Sequence, residues 1–150
     1  MAEAARDAAT ELARLLVSGP GQQAGSAFRA EVDRARDRLD EAEAHALRVT
    51  CERAGIEDGM SILDLGCGWG SLTLWIGKHY PNCKITAVSN SAPQREFITA
   101  VAREKGLDNV NVVTSDMNDF TPTGTFDRVV SVEMFEHMRN YPELFRRIST

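Results

Sequence analysis

The segment Ile62-Leu63-Asp64-Leu65-Gly66-Cys67-Gly68-Trp69-Gly70-Ser71 constrains this chain more than any other, because a short apolar strand runs straight into three alternating glycines and then a helix. Glycines at alternate positions permit φ values closed to other residues and let a ligand approach the main chain. The first turn of the following helix adds unpaired N–H groups and a partial positive charge. Such a loop is built to receive an anionic group. A dinucleotide fingerprint needs glycine at the first, third and sixth places, whereas the sixth place here is Ser71 and Gly70 is the fifth. A nicotinamide dinucleotide is therefore disfavoured, the more so because residues 86 to 90 contain no acid to hold a ribose.

From Asp58-Gly59 onward strand and helix signals alternate, which predicts an α/β fold with a doubly wound parallel sheet. Strands are expected at 61–65, 84–89, 110–114 and 127–132, with helices at 70–79 and 92–105. Pro81-Asn82 closes the first of these helices and Gly106 the second. Ser91 and Gln94 form a Ser-x-x-Gln capping box around Pro93, and Asn140 with Pro142 opens a last helix carrying Leu144, Phe145 and Ile148. Upstream, residues 1–18 form an Ala-rich helix with Leu12, Leu15 and Leu16 on one face, stopped by Ser18-Gly19-Pro20-Gly21. Residues 19–26 read as a joint. Phe28, Val32, Ala35, Leu39, Ala42 and Ala46 recur at helical spacing, and Asp40 with Glu43 makes a capping pair that predicts a separate helix from 41 to Gly55.

The formal net charge is −5 and the 17 basic residues are scattered, which gives no electrostatic footprint for nucleic acid. A small-molecule substrate is the simpler expectation. Cys51, Cys67 and Cys83 have neither disulfide-framework nor zinc-ligand spacing, so no metal is expected and a reducing, cytoplasmic setting is. No segment approaches the roughly 20 apolar residues that span a bilayer.

In a doubly wound sheet ligands bind beyond the carboxyl ends of the strands. All four predicted ends are polar: Asp64 with the glycine loop, Ser89-Asn90-Ser91, Ser115-Asp116-Met117, and Ser131 with Glu133. Taken singly each is an ordinary loop, Asp116 for instance fitting an Asx turn. Together they define one edge.

The Asp-x-Gly-x-Gly-x-Gly form resembles the first motif of class I S-adenosylmethionine-dependent methyltransferases. The resemblance implies that Gly66, Gly68 and Gly70 receive the methionyl end of the cofactor and that Asp64 offers negative charge to its ammonium. Asp116 would accept from the adenine amine, with the Met117 backbone facing the ring. Most of that class carry an acidic residue at the end of the second strand; here Ser89 and Asn90 stand there, with Gln94 able to reach back. Over residues 39 to 150 the chain resembles a narrower family, the cyclopropane fatty acid synthase-like methyltransferases, and most closely their coclaurine N-methyltransferase branch. The carrying residues are Leu39-Asp40-Glu41-Ala42-Glu43, the run Asp58 to Ser71, Tyr80-Pro81-Asn82-Cys83-Lys84, Ser89-Asn90-Ser91 and Glu133-Met134-Phe135-Glu136-His137-Met138. In that family Ser-Asn-Ser with a glutamine replaces the ribose-gripping acid.

The resemblance implies a methyltransferase acting on a small amine, or, in the cyclopropane-forming branch, on a lipid double bond. Methyl transfer to an amine needs an aligned, unprotonated nucleophile, and a positioned base contributes roughly 10² to 10⁴-fold. By resemblance Glu136 and His137 are the base or amine-anchoring pair and Glu133 assists; in the cyclopropane-forming branch the matching acid is implied to hold a bicarbonate. Read from the residues alone, the same pair also fits the polar opening of a helix. Residues 1–38 are thus expected to be a helical N-terminal extension and 39–150 a partial cofactor-binding methyltransferase domain. A class I sheet has seven strands and four are predicted here, so a fragment, or a chain that binds cofactor without catalysing, is the competing expectation. Val129, Val130 and Val132 would then lie on an open sheet edge.

Overall fold

The structure, a computed structural model, describes residues 2–18, 25–117, 119–132, 134–135 and 139–149. By its contacts the chain divides into two compact units, residues 1–50 and 51–150.

The first unit holds helix α1 (Ala2–Ser18) and most of helix α2 (Gly25–Ala54). Leu15 packs with Val32 and Ala35, and Leu12 and Phe28 close over them, so the heptad-like apolar spacing is used as a helix-pair seam. The helix predicted to begin at 41 does not exist as a separate element: α2 runs unbroken for 30 residues. No glycine or proline interrupts the chain from Ser26 to Arg53, and the intervening residues are mostly good helix formers. Asp40 and Glu43 lie inside this helix, where the N–H groups that a cap would satisfy are already bonded. The boundary expected between residues 38 and 39 lies within α2. The predicted stop is where the sequence put it. Gly55 takes φ +61, and Ile56 N–H returns to Cys51 O at 3.1 Å, the left-handed glycine ending that only a residue without Cβ adopts cheaply.

The second unit is a four-stranded parallel sheet in the order β3-β2-β1-β4, with β1 (Ser61–Leu65), β2 (Lys84–Ser89), β3 (Val110–Thr114) and β4 (Arg128–Val130). Helix α3 (Ser71–His79) links β1 to β2, α4 (Ala92–Glu104) links β2 to β3, and α5 (Tyr141–Ile148) follows β4. Because β2 and β4 flank β1 on opposite sides, the strand order reverses at β1. A crevice at such a switch point is where open α/β sheets bind ligands. Side chains alternate across the sheet. Leu63 and Leu65 join Val88 on one face, where Met117, Phe120, Phe126, Val129, Met134 and Ile148 pack on them. An apolar cavity of about 220 Å³ lies on this face, walled among others by Phe120, Phe126, Val129, Leu144 and Ile148; among the described residues predicted to hold a ligand it shares Met117 alone.

Two details depart from the sequence reading. Strand β4 covers 128–130 rather than 127–132, and it pairs with Ile62–Asp64 alone. At its end Ser131 Oγ donates to Leu65 O at 2.7 Å, replacing a ladder bond by a side-chain one as the chain leaves the sheet. At its start Asp127 Oδ2 accepts from Ser61 N–H and Oγ–H, which holds its carboxyl below the usual range. Helix α5 starts as predicted, with Asn140 Oδ1 accepting from Glu143 N–H. On the edge away from the site, Asp58 accepts from both the backbone and side-chain amides of Asn82, which accounts structurally for two of the motif residues.

Candidate functional site

The four carboxyl strand ends meet on one edge, as parallel pairing requires. The glycine loop is the centre of that edge. Gly66 and Cys67 both donate to Val88 O, at 2.9 and 3.0 Å, and Gly70 donates to Cys67 O at 2.8 Å, so three of the loop amides are committed to the fold. Among the described residues no such backbone bond uses the N–H of Gly68 or Trp69.

All three glycines have positive φ, +78, +53 and +86, but they are glycine for different reasons. A Cβ on Gly66 would lie 2.5 Å from Met134 Cγ, and one on Gly70 would lie 2.7 Å from Ile98 Cγ1. Those two sites are closed by packing. A Cβ on Gly68 would meet nothing within 4 Å, so space is left there beside a main chain bent to expose it. That is the geometry of a cradle. Gly70 is also the N-cap of α3, with no side-chain cap bond, so no side chain of the N-cap fills the helix entrance.

Beneath the loop lies Asp64, 2% exposed. Its cross-strand neighbours are Ala87 and Val130, both apolar, and its Oδ2 accepts from Thr73 Oγ1 at 2.6 Å. Burial pushes its carboxyl up to about 6 although the Thr73 bond pulls it down. No cation among the described residues counters the charge. The Cys67 thiol, pushed up to about 12 mainly by burial and further by Asp64, is no nucleophile at neutral pH.

At the end of β2, Ser89 is buried and its Oγ donates to Gln94 Oε1 at 2.5 Å while accepting from Ser91 N–H. The Ser91–Gln94 capping box is therefore not made: Ser91 is the N-cap of α4 without a side-chain bond, and its N–H, which Gln94 would accept in a box, goes to Ser89 Oγ while Gln94 turns to the same hydroxyl. This brings Ser89 and Gln94 together, with Asn90 exposed beside them. Ser115 N–H donates to Ser89 O at 2.9 Å, which places the exposed Asp116 next in line on the same edge. Its carbonyl accepts from Asp119 and Phe120 N–H, closing the local turn. Met117 turns its side chain into the core with Leu63, Leu65 and Val88. Glu133, Glu136 and His137 lie outside the described residues. Thr73 was missed in the sequence; its signal is a hydroxyl in the first turn of the helix that follows a strand-terminal acid.

The residues present fit an adenosyl amino-acid sulfonium: open space at Gly68, loop amides at Gly68 and Trp69 without a backbone bond and a buried carboxylate without a cation among the described residues, and a Ser–Gln pair at the next strand end. The fold is that of class I S-adenosylmethionine-dependent methyltransferases. The chain belongs to the family described as mycolic acid cyclopropane synthetase, which matches residues 24–150. It is 50% identical over 110 residues to (S)-coclaurine N-methyltransferase of Thalictrum flavum subsp. glaucum, covering 73% of this chain and 30% of that protein. It is 38% identical over 111 residues to the cyclopropane-fatty-acyl-phospholipid synthase of Escherichia coli K12, covering 73% and 28%. Among solved structures, coclaurine N-methyltransferase bound to N-methylheliamine and SAH superposes with a TM-score of 0.72 at 50% identity, over 74% of this chain and 33% of that one. The chain thus spans about a third of the length of the relatives it matches.

Proposed function

We propose that this chain carries the cofactor half of an S-adenosylmethionine-dependent methyltransferase that methylates the nitrogen of a small amine. The observation that carries the reading is the convergence of the Gly68 cradle, buried Asp64 and the Ser89–Gln94 pair at the switch point of the sheet. The 50% identity to an N-methyltransferase favours an amine as methyl acceptor. The E. coli relative supports a second reading, methyl transfer to a lipid double bond, at lower identity.

When bound, S-adenosylmethionine supplies an electrophilic methyl group on a sulfonium. The glycine loop would hold its carboxylate end through the amides of Gly68 and Trp69, with Gly66 and Gly70 shaping the loop, and Asp64 would hold its ammonium. Ser89, Asn90 and Gln94 would take the ribose hydroxyls, Asp116 the adenine amine and the Met117 backbone the ring. Aligning acceptor and donor contributes up to about 7–11 kcal/mol in favourable intramolecular cases. In this reading Glu136 and His137 take the proton from the amine or anchor it, and Glu133 holds the ammonium form before that step. Residues 39–150 would form the working domain and 1–38 a helical extension, acting in the cytoplasm. The test is a methyl-transfer assay on amines and on phospholipids with wild type, Glu136→Gln and His137→Asn. Methylated amine lost in both variants supports the reading. Methylation of lipid alone, or activity untouched by either substitution, rejects it.

A further inference from the structure

The buried hydroxyl of Thr73 is left unexplained by packing. Thr73 is fully buried, and valine has nearly the same shape, so volume alone does not require an oxygen there. A threonine in a helix commonly gives its hydroxyl to the carbonyl one turn back. Here it reaches instead across nine residues to the side chain of Asp64, at 2.6 Å, the short range of a hydroxyl donating to a charged oxygen.

The surroundings of Asp64 make that bond consequential. From β2 and β4 its neighbours are the apolar Ala87 and Val130, and from the loop the only titratable group acting with it is the neutral thiol of Cys67. From α3 it meets Thr73. Thr73 is therefore the one described group that favours the anion at a place where burial favours the neutral acid.

We propose that Thr73 is a positioning residue of the cofactor site: by donating to Oδ2 it fixes the Asp64 carboxylate at the strand end and keeps it anionic for the ammonium of the ligand. This rests on the reading of the glycine loop as an S-adenosylmethionine site. Replacing the hydroxyl by a methyl group removes the sole described donor to a buried charge. That raises the pH at which Asp64 ionises by on the order of one unit or more.

The experiment is calorimetric titration of the full chain with S-adenosylhomocysteine from pH 5 to 8.5, for wild type, Thr73→Val and Thr73→Ser. Wild-type affinity is expected to fall as pH drops through about 6, where Asp64 takes up its proton. In Thr73→Val the fall is expected to begin about one unit higher, with the two curves converging toward pH 8.5, and Thr73→Ser is expected to follow wild type. A purely structural role would shift affinity by the same factor at every pH, and that result overturns the proposal. So does a Thr73→Val profile superimposable on wild type. If wild type binds at no pH, the cofactor reading itself falls and the proposal with it. Should Thr73→Val not fold, Thr73→Cys, with a weaker donor of similar size, serves in its place, and an unshifted profile there is equally fatal.

Discussion

Replacing Asp64 by asparagine separates what the fold wants from what the site needs. Asp64 is held in an apolar strand pair with its carboxyl at about 6 instead of 3.8. A raised folded-state value means that the native protein binds the proton more tightly than the unfolded chain. Asp64 therefore favours the fold most at low pH and loses that contribution as pH rises through about 6. The rise, from 3.8 to about 6, corresponds to about 3 kcal/mol when fully expressed. Worked through the linkage relation, the cost of ionised Asp64 is about 1 kcal/mol at pH 4.5 and about 3 kcal/mol at pH 7.5. Asparagine keeps an oxygen for Thr73 and carries no charge. The stability of Asp64→Asn relative to wild type should thus improve by about 2 kcal/mol between pH 4.5 and 7.5, while S-adenosylhomocysteine affinity collapses. Urea unfolding of both proteins at the two pH values measures this, and because other carboxylates titrate alike in both, their contributions cancel. A gap that stays constant with pH, or shrinks, refutes the burial argument; improved stability with unchanged affinity refutes the assignment of Asp64 to the site.

Gly70→Ala should destabilise the protein by about 3 kcal/mol, combining a left-handed φ with overpacking against Ile98, whereas Gly68→Ala should cost only about 1 kcal/mol because its Cβ meets nothing; chemical denaturation of the pair gives the order, and equal losses would remove the case for open space at Gly68. Cys67 should resist alkylation by iodoacetamide at pH 8 in the folded protein and react once unfolded, as followed by mass spectrometry, since its thiol is held near 12. Arg146 first, then Arg147, hold the Glu143 carboxyl down to about 2. A depressed value stabilises above the unfolded pKa and is lost as pH falls through the folded one. The α5 amide signals of wild type should therefore weaken between about pH 4.5 and 2 in an NMR titration, and those of Glu143→Gln should not follow that course.

The site edge was legible because it follows from topology: parallel strands bring their carboxyl ends together, and each predicted end was polar. Glycine and proline punctuation likewise placed Gly55, Pro93 and Asn140 at the right helix boundaries. What failed were local patterns with two physical outcomes. Asp40 with Glu43 spells a cap only where the preceding helix is broken, and nothing between Ser26 and Arg53 breaks it. Ser91 with Gln94 spells a cap too, yet the buried Ser89 hydroxyl competes for the same glutamine and wins. The Thr73–Asp64 bond was hidden for a different reason: it joins the end of a strand to the first turn of the next helix through a loop whose path only the folded chain defines. Likewise, the sequence could not tell why each glycine is required; Met134 and Ile98 explain two of them, while at Gly68 a Cβ would meet nothing within 4 Å.

In the proposed site the main chain at Gly68 and Trp69, with Asp64 below and Ser89 beside it, receives the amino-acid and ribose portions of the cofactor. Amide chemical-shift mapping of the isotope-labelled chain during addition of S-adenosylhomocysteine tests it most directly. Saturable shifts are expected at Gly66 to Ser71, Ser89 to Ser91 and Asp116, abolished by Gly68→Val. Shifts centred on the apolar cavity around Phe120 and Phe126, or none in the folded protein, would contradict it.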